Sequence, residues 1–330
     1  MQRILQPGEI EALDRTRMPH ARLPQPASLF RERAARLQQQ APGNPIGGYL
    51  LAMSDIVQAQ AALAGRIQTS AWAPEAIAQA QAHAMPLCNA AEAPDPLWRA
   101  ALAQLLEQLG QSGQTPHLPA PLQQAAQALA QLAPEAQDAL AGRILNRRMM
   151  ADDVLAAPIV MAALQLFYAH QASQLREADV PYTQPMTICP VCASQPVASV
   201  LRVGGAEGGL RFLHCSLCCT EWHMVRVKCS HCESTGGIRY QGVVSASQDG
   251  PEASPDAHPE TSPDISKEVV LAETCDNCHT YRKLINQEKD PSAEPLADDL
   301  ASMRLDLLMG QTAYARASGN PLLALAPEQA

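Results

Sequence analysis

Four Cys-x-x-Cys pairs lie within one ninety-residue stretch: Cys189/Cys192, Cys215/Cys218, Cys229/Cys232 and Cys275/Cys278. They use eight of the chain's ten cysteines. Two residues between cysteines let both sulfurs converge on one ion while backbone amides turn toward them. A tetrahedral four-thiolate site needs two such knuckles, so four knuckles make two sites. The residues between Cys192 and Cys215 read as strand, glycine turn, strand, which returns one knuckle to the other. Cys232 and Cys275 enclose a strand, a proline-rich loop and a second strand. Sequential pairing therefore gives one site from Cys189, Cys192, Cys215 and Cys218, and another from Cys229, Cys232, Cys275 and Cys278. Interleaved pairing is the rival, and the short link between Cys218 and Cys229 disfavours it.

These hairpins are zinc-ribbon or rubredoxin-like in outline. Strands of about five residues cannot hold a small unit together by apolar burial alone, and metal supplies what the core lacks. Four thiolates suit iron and zinc alike, so the spacing leaves the metal open. The first thirty residues carry no apolar stretch of signal-peptide type, and the longest apolar run, 154–169, is short for a membrane span. The expectation is a soluble cytoplasmic chain, in which paired cysteines favour metal over disulfides.

Texture changes along the chain. Residues 1–184 are rich in Ala, Gln and Leu and are expected to form an irregular helical domain. Helices are expected from a cap at Ser28 through Leu37, then at 45–68, 74–84, 96–110, 120–132, 134–148 and 154–175. Pro45, Pro74, Pro96 and Pro134 are placed at helix starts. Short strands follow at 197–203, 210–214, 222–227, 238–244 and 268–273, with Gly204–Gly209 as a turn. Residues 245–268 carry prolines at 251, 255, 259 and 263 among Ser, Asp and Glu, and are expected to be an extended loop. A single helix is expected over 295–316, with a loose tail after Pro321. The fold class is α+β: a helical domain (1–184), a first rubredoxin-like unit (185–224), and a second (225–330) with the insertion and the C-terminal helix.

Other residues near the knuckles are expected to be bystanders. Cys219 is a spare thiol. His214, His223, His231 and His279 are neighbours of the sites or surface groups, and Trp222 packs over a metal unit. Cys88 is a small buried residue in the helical part. The formal net charge is −9. Residues 185–250 hold five Lys/Arg against four Asp/Glu, with no basic patch for a phosphate backbone.

The run Cys189-Pro190-Val191-Cys192, then 210–218, Thr220-Glu221-Trp222-His223, Arg226 and Lys228-Cys229 resembles the FdhE family of formate dehydrogenase accessory proteins. The likeness continues through Tyr281, 287–291, 297–302 and Asn320-Pro321. It also touches Pro7-Gly8-Glu9-Ile10-Glu11, Arg22-Leu23-Pro24 and Leu29-Phe30. The resemblance implies a non-catalytic cytoplasmic protein with two iron sites, acting on the catalytic subunit of respiratory formate dehydrogenase before export. All eight cysteines occupy the knuckle positions. The positions after the second cysteines, where glycine is common, hold Ala193, Cys219, Glu233 and His279. A rubredoxin-like electron-transfer protein is the alternative reading. A nucleic-acid-binding zinc ribbon is a third.

Overall fold

Proline marks most helix starts. In the computed structural model, which describes residues 19–92, 94–111, 115–203, 208–243, 265 and 267–323, α1 (Pro26–Gln40) begins at proline. It is followed by α2 (Gly47–Leu63), α3 (Pro74–Ala82) and α4 (Trp98–Gly110). Then come α5 (Ala120–Gln131), α6 (Pro134–Leu145) and α7 (Ala157–Ala172). Proline occupies the first or second position of α1, α3, α5, α6 and α7, where its missing N–H leaves no bond unmade. Pro45 and Pro96 instead sit in the turns just before α2 and α4. Ser28 lies inside α1 and donates its hydroxyl proton to the Gln25 carbonyl, so the expected cap falls three residues earlier. Helix α7 is buried along almost its whole circumference, which explains why its sequence shows no polar stripe.

One mixed sheet is built from the second half together with a short strand from the first. Its strands are β1 (Ala21–Arg22), β2 (Pro196–Leu201), β3 (Arg211–Cys215), β4 (Glu221–His223), β5 (Ile238–Gln241), β6 (Val270–Cys275), β7 (Thr280–Asn286) and β8 (Ala315–Arg316). The order is β1-β4-β3-β2-β7-β6-β5, with β8 beside the start of β7. The β2–β7 and β7–β8 pairings are parallel and the others antiparallel. Register Ala198↔Lys283 to Leu201↔Asn286 joins the strands of the first knuckle pair to those of the second. The architecture is thus α+β, with the sheet running continuously past residue 225.

Among the elements shorter than expected, two lie beside a buried cation. The expected helix 295–316 divides into α8 (Pro295–Ala301) and α9 (Met303–Met309), followed by β8. The carbonyls of Asp299 and Ser302 turn to the Lys283 ammonium, at 2.7 and 3.1 Å, and Ser302 leaves helical geometry with ψ 33°. The expected strand 222–227 ends at His223, opposite the start of its partner β3, and beyond it the Arg211 guanidinium takes the carbonyls of Arg226 and Lys228 at 3.3 and 2.9 Å. Residues 204–207, 244–264 and 266, which include most of the expected glycine turn and proline-rich loop, lie outside the described residues. Ile265, expected in that loop, packs partly buried against Leu201, Leu271 and Leu284. Beyond Pro321, Leu322 is fully buried and Leu323 packs against the main core, unlike the expected loose tail, whose remaining residues 324–330 lie outside the described residues.

Helix α1 is fastened to α8 through charge. Arg33 meets Glu294 at 2.8 Å, and Arg36 meets Asp298 at 2.6 Å and Asp290 at 2.8 Å. On the far side of α8, Asp299 pairs with Arg316 at 2.5 Å. Arg33, Arg36, Asp298 and Asp299 are all buried, so losing one partner would strand a charge in the interior.

Candidate metal centre

The knuckles meet in sequence order. Cys189, Cys192, Cys215 and Cys218 bring their sulfurs together, as do Cys229, Cys232, Cys275 and Cys278, each set within 4.8 Å. Among the described residues no His, Asp or Glu joins either set. In both sets the first cysteine of one knuckle faces the second of the other. The distances are 3.5 Å for Cys189–Cys218 and 3.4 Å for Cys192–Cys215. For Cys229–Cys278 and Cys232–Cys275 they are both 3.8 Å. A disulfide needs about 2.05 Å. Sulfurs about 2.3 Å from a tetrahedral ion stand about 3.8 Å apart, so both sets fit a metal and neither fits disulfides.

Each knuckle turns by the same local device. Ala193, Cys219, Glu233 and His279, the residues after each second cysteine, have φ of 62°, 58°, 60° and 50°. This left-handed conformation costs a non-glycine residue roughly 1–2 kcal/mol. The turn that results lets Ala193, Glu233 and His279 donate their N–H to the first cysteine's carbonyl at 3.0, 3.1 and 2.9 Å. The amides of Val191, Leu217 and His231 point at the first sulfur of their knuckles, at 3.4, 3.3 and 3.3 Å. These donors stabilise thiolate charge whichever ion is bound.

The surroundings of the two sets differ. All four sulfur residues of the first are 0% exposed and belong to the main apolar core, together with α7 and Trp222. A strap from the helical half lies along its first knuckle. Leu87, Cys88 and Ala90 donate their N–H groups to the carbonyls of Pro190, Val191 and Cys192 at 3.1, 3.0 and 3.3 Å. From α7, Gln165 donates to the Ser216 carbonyl at 2.7 Å. Trp222 donates its indole N–H to the Met186 carbonyl at 2.7 Å. In the second set, Cys229 and Cys275 are buried, Cys278 is half-buried and Cys232 is exposed.

Buried Arg282 lies between the sets. Its Nε donates to Ser230 Oγ at 3.0 Å, inside the third knuckle, and Nη1 bonds the Pro196 carbonyl and the Ser318 hydroxyl. Burial, opposed by Glu273, holds its pKa at about 10, still charged at neutral pH.

The bystanders fall as follows. Cys219 is buried, with its sulfur 3.6 Å from Arg33 Nη2. Burial pushes its thiol up, but Arg33 and then His214 outweigh that and leave it below the ordinary value. His214 is buried and bonds Glu221 at 2.9 Å, while His223 stands edge-on to Phe212. His231 is exposed, and His279 lies tilted beside Tyr314. Sequence reasoning missed the strap at 87–90 and Gln165. Both act through main-chain carbonyls, which leave no pattern in residue type.

A helical half covering one of two four-cysteine knuckle sites, joined by one sheet, defines a double-knuckle protein able to hold two metal ions. Family profiles match almost end to end: "FdhE, N-terminal" over residues 18–184, "FdhE, central domain" over 188–226 and "FdhE, C-terminal domain" over 227–323. The chain belongs to the FdhE family. The protein FdhE homolog of Pseudomonas aeruginosa is 37% identical over 327 residues, covering 97% of each chain. Protein FdhE of Escherichia coli K12 is 34% identical over 318 residues, 96% of this chain and 94% of the relative. The crystal structure of the FdhE protein from Pseudomonas aeruginosa superposes with a TM-score of 0.77 at 32% identity, covering 93% of this chain and 100% of that one.

Proposed function

We propose that the protein is a non-catalytic cytoplasmic maturation factor for respiratory formate dehydrogenase, and that it binds that enzyme's catalytic subunit before export. Cys189, Cys192, Cys215 and Cys218 hold one metal ion; Cys229, Cys232, Cys275 and Cys278 hold another. Iron is the first choice and zinc the alternative. The organisation proposed is a helical domain at 1–184 with metal units at 185–224 and 225–330. The observation that carries the reading is family membership along nearly the whole chain, joined to two preformed four-sulfur sets.

The chain's residues supply a rigid platform. Knuckle turns fix the sulfurs, and the shared sheet fixes the two sets against each other. Iron in such a shell supplies one-electron chemistry, while zinc supplies structure. Among the described residues no helix is long and apolar enough to cross a membrane. A rubredoxin-like electron-transfer role is the second reading, favoured by the exposure of Cys232. Anaerobic purification with metal analysis and co-purification of the formate dehydrogenase catalytic subunit tests the first reading. Normal formate dehydrogenase activity in a strain lacking this chain would sink it. A visible band that bleaches on reduction, with no retained subunit, would favour the second.

A further inference from the structure

The two sulfur sets have the same turns and the same cross-knuckle pairing, yet only the second reaches solvent. We infer that the second set is the chain's exchange port: there an external thiolate can take a coordination place, and there metal enters and leaves the folded protein. This rests on the proposal that both sets hold metal. The first set stays locked as long as the fold is intact.

Access decides the matter because ligand exchange at a thiolate site is associative. An incoming sulfur must approach the ion before a resident one departs. At the first set every cysteine is 0% exposed. The strap at Leu87–Ala90, the Gln165 amide and the Trp222 indole close the approaches. Exchange there waits for these elements to open, a local unfolding event. At the second set Cys232 is exposed and Cys278 half-buried. The flanking residues Ser234, Gly236 and Asn277 add little bulk, and Asn277, Gly236 and Cys232 all face water.

The step balances without oxidant or reductant. One metal–sulfur bond forms to the incoming thiolate and one breaks at Cys232. The Cys232 sulfur leaves as a thiolate and takes a proton from water. The entrant is a thiolate of small cross-section, either a free monothiol or a Cys-x-x-Cys segment presented by another protein. Cys229 and Cys275, anchored in buried backbone, hold the ion while the exposed side changes ligands.

The full-length chain loaded with two zinc ions tests this. A metallochromic pyridylazo-resorcinol chelator reports release, alone, with glutathione and with a Cys-x-x-Cys peptide. Pulsed iodoacetamide and peptide mapping report which cysteines open first. One ion per chain should leave at least about tenfold faster than the other. Labels should appear first at Cys232 and Cys278, with thiol accelerating the fast phase only. Acceleration by glutathione names a small thiol as entrant, and acceleration by the peptide alone names a protein partner. Release of both ions in one phase overturns the inference. So does first labelling within 189–218, or a fast phase that neither thiol accelerates. Leu87→Pro, which removes one strap donor, should speed the slow phase and leave the fast one unchanged. A slow phase indifferent to that change overturns the enclosure argument. If the intact chain binds no metal, the metal reading itself fails. The labelling order of the metal-free chain still reports access, and a reversed order overturns the port.

Discussion

The first and second sulfur sets share a ligand pattern and the same knuckle turns, and differ in what packs over them. The first is folded into the main core, beneath α7, Trp222 and the strap from residues 87–90. The second sits at the open end of β5, β6 and β7, with one cysteine in solvent. Identical local chemistry can therefore serve two purposes. One set joins the helical half to the sheet, and the other presents its sulfur side outward. What distinguishes them is the packing laid over the knuckle.

The largest test of that contrast removes ligands. Cys215→Ser with Cys218→Ser should unfold helices and sheet together, since a structural zinc shell contributes on the order of 10 kcal/mol and this one lies in the common core. Cys275→Ser with Cys278→Ser should cost one ion and keep the helical circular-dichroism signal and its melting. Equal helical melting for the two variants would break the comparison. Next in size is Gln165→Leu, which removes the donor to the part-buried Ser216 carbonyl. A loss of about 1–3 kcal/mol in urea unfolding is expected, with release of the second ion unaffected. A third test sharpens the knuckle turns. Ala193→Gly relieves a left-handed residue and should stabilise by about 1 kcal/mol. Glu233→Gly should gain less, because it gives up the 2.8 Å bond to the Met186 amide and the 3.6 Å approach of Lys228.

The smallest expected effect is a control remote from both sets. The Arg143 guanidinium, hydrogen-bonded to Asp153 at 2.7 and 2.8 Å, holds that carboxyl below its ordinary value. A depressed folded pKa adds stability above the unfolded value and loses it as pH falls through the folded value. Asp153→Asn should thus lower the melting temperature by about a degree at pH 7. The difference should shrink as pH drops below about 4. A gap that persists at pH 2 would mean the pair acts through packing instead of charge.

Much of this was legible in the chain. Paired cysteines at fixed spacing, separated by two hairpins, announce two four-sulfur sets because ligand geometry is written in short-range sequence. Helix starts were legible at Pro74, Ala120 and Pro134, whereas α1 and α7 begin at Pro26 and Ala157 and not after Ser28 or at 154. The burial of Arg33 and Arg36 was not, since their partners Glu294 and Asp298 arrive more than two hundred and fifty residues later. The break at Ser302 was equally hidden, because Lys283 on β7 imposes it from outside the helix. Nor could spacing say which set would be covered. That depends on where 87–90 lands, through main-chain bonds any residue but proline could make.

The span between Arg33 and Glu294 also sets a clock. At roughly 5–20 residues per second, a ribosome needs about 13–50 s to make the 261 residues separating them. Through that interval α1 carries two cations destined for the interior and no acids to receive them. The amino-terminal half cannot close its last seam until α8 has left the exit tunnel. A chain that stops short of residue 294 is therefore marked by its own unpaired arginines, and any partner that reads the finished seam will meet only chains that extend through α8.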